Sequence, residues 1–187
     1  TASAKIDGPA GENVTFTVAS KADPQLSNGR MRVNLFFVGD AGQEQTTRDV
    51  VESALQEFRG IFMSKAAIEL DVNEYEIDGP ERLPIPLYGD KFYRSASSSA
   101  QSPAVNVFIG GDIEGLGGSG ELLGISAGIP GPAMPSERSG VAISFFSGAG
   151  PDGIYSSQDV RILGETLAHE SAHFMGLYHV VDFSGNV

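Results

Sequence analysis

The sequence predicts an α+β fold in which two helices lie against one twisted, mixed sheet. Two observations carry this. Five segments alternate with period two or run continuously apolar, and two segments recur at helical spacing. Their order is strand, helix, strand, strand, edge strand, strand, helix, with no internal repeat and no strict strand–helix alternation. The 187 residues suit one domain.

Residues 1–29 are polar and turn-rich and read as an N-terminal extension, with one alternating stretch at 14–18 (VTFTV) as a short strand. Residues 30–38 (RMRVNLFFV) form the first strand of the domain proper, 30–187, and Gly39-Asp40 closes it. Thr46 and Thr47 then offer an N-cap, with Asp49 and Glu52 in the first turns, where the helix dipole favours acids. Val50, Val51, Ala54, Leu55, Phe58, Ile61 and Phe62 give the 47–64 helix an apolar stripe wide enough to lie on a sheet. Residues 68–77 (IELDVNEYEI) alternate, which predicts a strand with one wet face. A loop rich in Pro, Gly and Ser is expected at 78–102, a buried strand at 104–109, and a glycine-rich loop at 110–120. Residues 122–129 (LLGISAGI) read as a strand whose glycines suit an edge, and 141–146 (VAISFF) as the last strand. The final helix begins near Ser156, which has capping-box spacing to Asp159. Val160, Leu163 and Leu167 form its buried stripe.

Composition excludes several function classes. Net charge is −12, and beyond residue 110 nine acids face only Arg138 and Arg161, so no basic patch exists for nucleic acid. No apolar run approaches the ~20 residues of a membrane span. The absence of cysteine removes disulfides, thiolate-bound zinc and a thiol nucleophile. Gly111-Asp112 and Pro151-Asp152-Gly153 offer oxygens to calcium, but no ligand count can be read and ordinary turns are the better reading.

The chemistry sits in the final helix. His169 and His173 are four residues apart, so their imidazoles share one helix face and can both reach one zinc ion. Glu170 is turned ~100° away, beside the metal without having to ligate it. Gly176 stops the helix, and His179 follows off the axis, able to reach back. These are the chain's only histidines, and they spell His169-Glu-Ser-Ala-His173-Phe-Met-Gly176-Leu-Tyr-His179, or H-E-x-x-H-x-x-G-x-x-H.

That string resembles the metzincin clan of zinc metallopeptidases. The resemblance implies one catalytic zinc on His169, His173 and His179, with Glu170 as general base. It also implies the clan's N-terminal subdomain, a twisted five-stranded mixed sheet with a backing helix and an active-site helix. Residues 122–131 (LLGISAGIPG) look like the upper-rim strand that pairs with an extended peptide substrate, which assigns substrate contacts to Gly124, Ile125, Ser126 and Ala127. Together with Gly176-Leu-Tyr-His179, that segment is most similar to pappalysin-like members. Phe37-Val-Gly-Asp40 resembles the motif by which astacin pro-segments block zinc, but its place at a strand end makes it a strand-to-turn signal. Tyr178 reads as packing.

Metzincins carry a methionine turn some tens of residues after the third histidine. Only eight residues follow His179 here, none of them Met. The expectation is a fragment without the lower, C-terminal subdomain, which would be a partner. The expected function is zinc-dependent endopeptidase, secreted or periplasmic in processed form. The alternative is a non-catalytic zinc-binding or interaction module on a truncated protease scaffold; the retained Glu170 argues for the enzyme.

Overall fold

The computed structural model describes residues 28–114, 122–132, 134–149 and 153–179. The expected strand at 14–18, most of the glycine-rich loop and Asp152 lie outside them. The strands are β1 (Gly29–Val38), β2 (Ile68–Ile77), β3 (Arg82–Leu83), β4 (Val105–Gly110), β5 (Asp112–Ile113), β6 (Gly124–Ser126) and β7 (Val141–Ser144). The helices are α1 (Gln45–Ala66), α2 (Lys91–Ser98) and α3 (Ser157–Phe174). The main sheet has the order β2-β1-β4-β7-β6. Its first four strands are mutually parallel, and β6 runs antiparallel to β7 at the edge. This is the expected five-stranded mixed sheet, with α1 and α3 against it.

The side-chain period of two sorts the buried strands onto two faces. Val33, Leu35 and Phe37 of β1, Val107 and Ile109 of β4, and Val141 and Ile143 of β7 meet Leu55 and Phe58 of α1 and Leu163 and Leu167 of α3. Phe36, Phe108 and Ala142 point the other way. There the expected 78–102 loop contains a helix. Asp90 caps α2 by accepting a hydrogen bond from the Phe92 N–H at 2.6 Å. Tyr93 is buried against the Phe108 ring and its hydroxyl donates to the Pro84 carbonyl at 2.5 Å. Burial pushes the Tyr93 pKa up. Serines that read as loop instead bond back into the helix, Ser97 Oγ to the Tyr93 carbonyl and Ser98 Oγ to that of Arg94, both at 2.6 Å. The sheet is therefore covered on both faces.

Strand β2 keeps its expected bounds but not its single wet face. Ile68 and Val72 join the α1 side, whereas Tyr75 and Ile77 join the α2 side. The alternation changes phase after Val72, and this leaves Glu74 and Glu76 on the α1 side, where both pair with Arg48. The Arg48 guanidinium also lies over the Phe37 ring, 4.7 Å from its centroid.

Asn34 is fully buried and lies in register with Asn73 on one side and Asn106 on the other. Its amide donates to Asn106 Oδ1 at 2.8 Å and to the Gln101 carbonyl at 2.7 Å. A slip of β4 by one residue would leave that buried amide unpaired, so the bond helps hold the register.

Helix α3 is fixed to α1 by close backbone approach. A Cβ on Gly164 would meet Glu57 Cβ at 2.6 Å and the Ala54 carbonyl oxygen at 2.7 Å. Gly164→Ala should lower unfolding stability by ~1–3 kcal/mol, because the crowding outweighs alanine's better helix propensity. A denaturant midpoint equal to or above that of the parent chain would contradict this tight crossing.

Candidate metal centre and active site

Helix α3 starts on the capping box read from the sequence. Ser156 Oγ accepts from the Asp159 N–H at 3.3 Å, and the Asp159 carboxylate accepts from the Ser156 N–H at 2.8 Å. The Ser156 hydroxyl, then the Ser156 N–H, donating to that carboxylate hold the Asp159 pKa below the usual range. The helix ends in a Schellman motif. Gly176 N–H donates to the His173 carbonyl at 2.8 Å, and Leu177 N–H donates to that of Ala172 at 3.0 Å. This requires φ of +106° at Gly176, which a residue with a Cβ adopts only at a cost.

The turn aims two groups back at the helix. The Leu177 carbonyl accepts a hydrogen bond from His173 Nδ1 at 2.6 Å. A carbonyl has no proton to give, so Nδ1 carries the hydrogen and Nε2 presents its lone pair. His179 also swings in. Nε2 of His173 lies 3.0 Å from Nε2 of both His169 and His179, and those two are 3.1 Å apart. Three imidazole nitrogens at mutual hydrogen-bond distance, one with its other nitrogen already committed, fit a common cation, and an all-histidine set fits zinc. Burial, then His173 and His179, push the His169 pKa down, which favours the neutral form that ligates.

Glu170 projects toward β6. Its carboxylate faces the Ser126 backbone N–H. Burial raises its pKa, and nearby His173 and the Ser126 N–H act in the opposite direction. The contact depends on Gly124, where a Cβ would lie 2.9 Å from Thr166 Cγ2 and 3.0 Å from Glu170 Cγ. An opening of about 440 Å³ between strand and helix is lined by Gly124, Thr166, His169 and Glu170 among others.

The edge strand is shorter than the 122–129 expected. Ile125 pairs with Ala142, the Leu123 carbonyl accepts from Ser144 N–H at 2.9 Å, and Ala127 N–H donates to the Gly140 carbonyl at 3.0 Å. By antiparallel alternation, the backbone groups of Gly124 and Ser126 turn away from β7. Ile125 and Ala127 do not: Arg138 occupies the Ala127 carbonyl, with Nη2 at 2.8 Å. Of the four substrate-contact candidates, Gly124 and Ser126 therefore offer main-chain groups on the outer edge, and Ile125 and Ala127 have theirs engaged.

Two further expectations change. Tyr178 is not packed but 72% exposed, and its hydroxyl donates to the Ile129 carbonyl at 3.0 Å. Asp112 binds Arg82, Ser144 and the Ile113 N–H instead of standing free for calcium, and the Arg82 hydrogen bond holds its carboxyl below the usual range. The Leu177 carbonyl and the Ser126 N–H were not singled out in the sequence, since both are main-chain groups placed by turns and pairing.

No family model and no curated protein matches the chain. Solved structures do. The chain is similar to archaemetzincin from Methanopyrus kandleri, with a TM-score of 0.55 and 16% identity, over 82% of this chain and 77% of that one. The fold resembles that of the archaemetzincins. Archaemetzincin from Archaeoglobus fulgidus, complexed with malonate, gives a TM-score of 0.50 and 16% identity over 81% and 82%. Metalloproteinase-II from Bacteroides fragilis gives 0.53 and 14%, covering 86% of this chain and 46% of that one. The chain thus spans about half of the last protein's length. At these identities the likeness establishes the fold.

Gly176→Ala should weaken zinc binding by about tenfold, because a strained turn costs ~1–2 kcal/mol and moves both His179 and the Leu177 carbonyl. Competition against a chelating dye would measure it. An unchanged affinity would mean that the turn does not set the site.

Proposed function

We propose that the protein is a zinc-dependent endopeptidase. The supporting observation is the convergence of three imidazole nitrogens beside a largely desolvated carboxylate, at the open edge of a sheet. The likeness to structures described as archaemetzincins and a metalloproteinase points the same way.

His169, His173 and His179 would hold the ion. Bound there, zinc supplies Lewis acidity, polarising a carbonyl oxygen and lowering the pKa of water to ~7. The rest falls to the chain's own groups. The free edge of β6 binds an extended peptide by strand addition, through the outward main-chain groups of Gly124 and the Ser126 carbonyl. Glu170 takes the proton of the attacking water and passes it to the departing amine nitrogen. Its raised pKa makes it a better proton acceptor than an exposed carboxylate. The Leu177 carbonyl keeps His173 in the ligating tautomer.

Glu170→Gln should retain zinc yet reduce turnover of an unstructured protein such as casein by ~10²–10⁴-fold. His179→Ala should lose both zinc and activity, because it deletes one of three ligands. Metal analysis beside the cleavage assay separates the two phenotypes. Near-parental hydrolysis by Glu170→Gln would sink the mechanism even with zinc in place.

A further inference from the structure

Past the histidine cluster lies a cation fixed in position with no carboxylate partner among the described residues. Arg138 donates from Nε at 3.2 Å and from Nη2 at 2.8 Å to the Ala127 carbonyl. That fork fixes the guanidinium at the end of the edge strand, and the group has more N–H donors than one carbonyl uses. Among the described residues no acid pairs with it. Glu137, its chain neighbour, pairs with Arg94 instead, and Arg161 is held by Glu165. Arg138 thus has no acidic partner among the described residues, in a chain whose net charge is −12.

The guanidinium borders an opening of about 360 Å³, whose walls include Ala127, Gly128, Ile129, Pro130 and Ser136. This opening adjoins the reaction centre at two points. Ala127 directly follows Ser126, whose N–H faces Glu170. Ile129 receives the hydroxyl of Tyr178, and Tyr178 immediately precedes the metal-site residue His179. The Ile129–Tyr178 bond puts this opening at the His179 end of β6, so a peptide residue that leaves the outer edge after Ser126 and enters the opening meets the guanidinium.

Resting on the peptidase reading, we propose that Arg138 is a specificity-determining residue that receives a carboxylate of the bound peptide. The carboxylate comes either from an Asp or Glu side chain or from the peptide's own C-terminus. A guanidinium already anchored by one carbonyl loses little freedom on meeting a carboxylate, and its planar fork matches that anion. The surrounding negative charge repels acidic chains elsewhere, so the selection is local to this position.

The test uses the full chain carrying Glu170→Gln, loaded with Zn²⁺, which binds peptide without cleaving it. Fluorescein-labelled decapeptides with blocked ends carry one Glu walked along the sequence. Gln and Lys counterparts serve as controls, and a further peptide has a free C-terminus and no acid. By fluorescence anisotropy, one register of Glu, or the free C-terminus, should bind about fivefold tighter than its neutral counterpart. The preference should shrink with added salt. It should vanish in Arg138→Gln, which keeps a hydrogen-bond donor for Ala127, and survive in part in Arg138→Lys, with thermal melting reporting the fold of both. Preference for blocked Glu assigns a side chain, and preference for the free end assigns the α-carboxylate. Equal affinity for acidic and neutral peptides, or a preference that persists in folded Arg138→Gln, overturns the role of Arg138 while peptide binding stands. Failure to bind any peptide overturns the peptidase reading together with it.

Discussion

The site depends on how closely α3 approaches its neighbours. Three positions without side chains permit this. Gly164 sets α3 against the backbone of α1, Gly124 sets β6 against Thr166 and Glu170, and at Gly131 a Cβ would overlap the Phe174 ring at 2.1 Å. Interiors are close-packed, so separating these elements by a methyl's width at any of the three shifts the helix as a body. His169 and Glu170 ride on that helix, and the edge strand is the other wall of the cleft. Geometry at the cleft is thus set by contacts from the middle to the end of α3.

The two ends of α3 have different chemistry because they have different tasks. The N-terminal end needs only to begin, and Ser156 and Asp159 satisfy its first N–H groups locally. The C-terminal end must reverse direction at once, since His179 has to return to the face that His169 and His173 share. The left-handed turn at Gly176 achieves this while leaving the Leu177 carbonyl directed at His173. One turn therefore positions a metal-site imidazole and orients another.

Away from the site, the sheet is covered differently at its two ends. On the α1 side Arg48 pairs with Glu74 and Glu76 while stacking on Phe37, so part of that face is closed by charge rather than by apolar side chains. On the other side Phe36 stacks between Tyr75 and Phe108, with ring centroids 5.0 and 4.6 Å away, under α2. With α1 and α3 on one face and α2 on the other, the sheet is buried on both.

What the sequence determined by itself were the features written in nearest neighbours and short periods. The α+β class, the five strands, the long backing helix, the Ser156–Asp159 cap, the Gly176 stop and the histidine spacing all follow from residues within a few positions of one another. Tertiary structure decided what depends on distant partners. Helix α2 is weak in local propensity and forms because Tyr93 packs beneath Phe108. The two glutamates that the phase change of β2 puts on the α1 side are matched there by Arg48, well over twenty residues earlier in the chain. Only pairing with β7 and the reach of Arg138 decide which groups of the edge strand stay open, leaving Gly124 and Ser126 and engaging Ile125 and Ala127. Main-chain carbonyls and N–H groups are identical in every residue, so their roles appear only once the chain has folded around them.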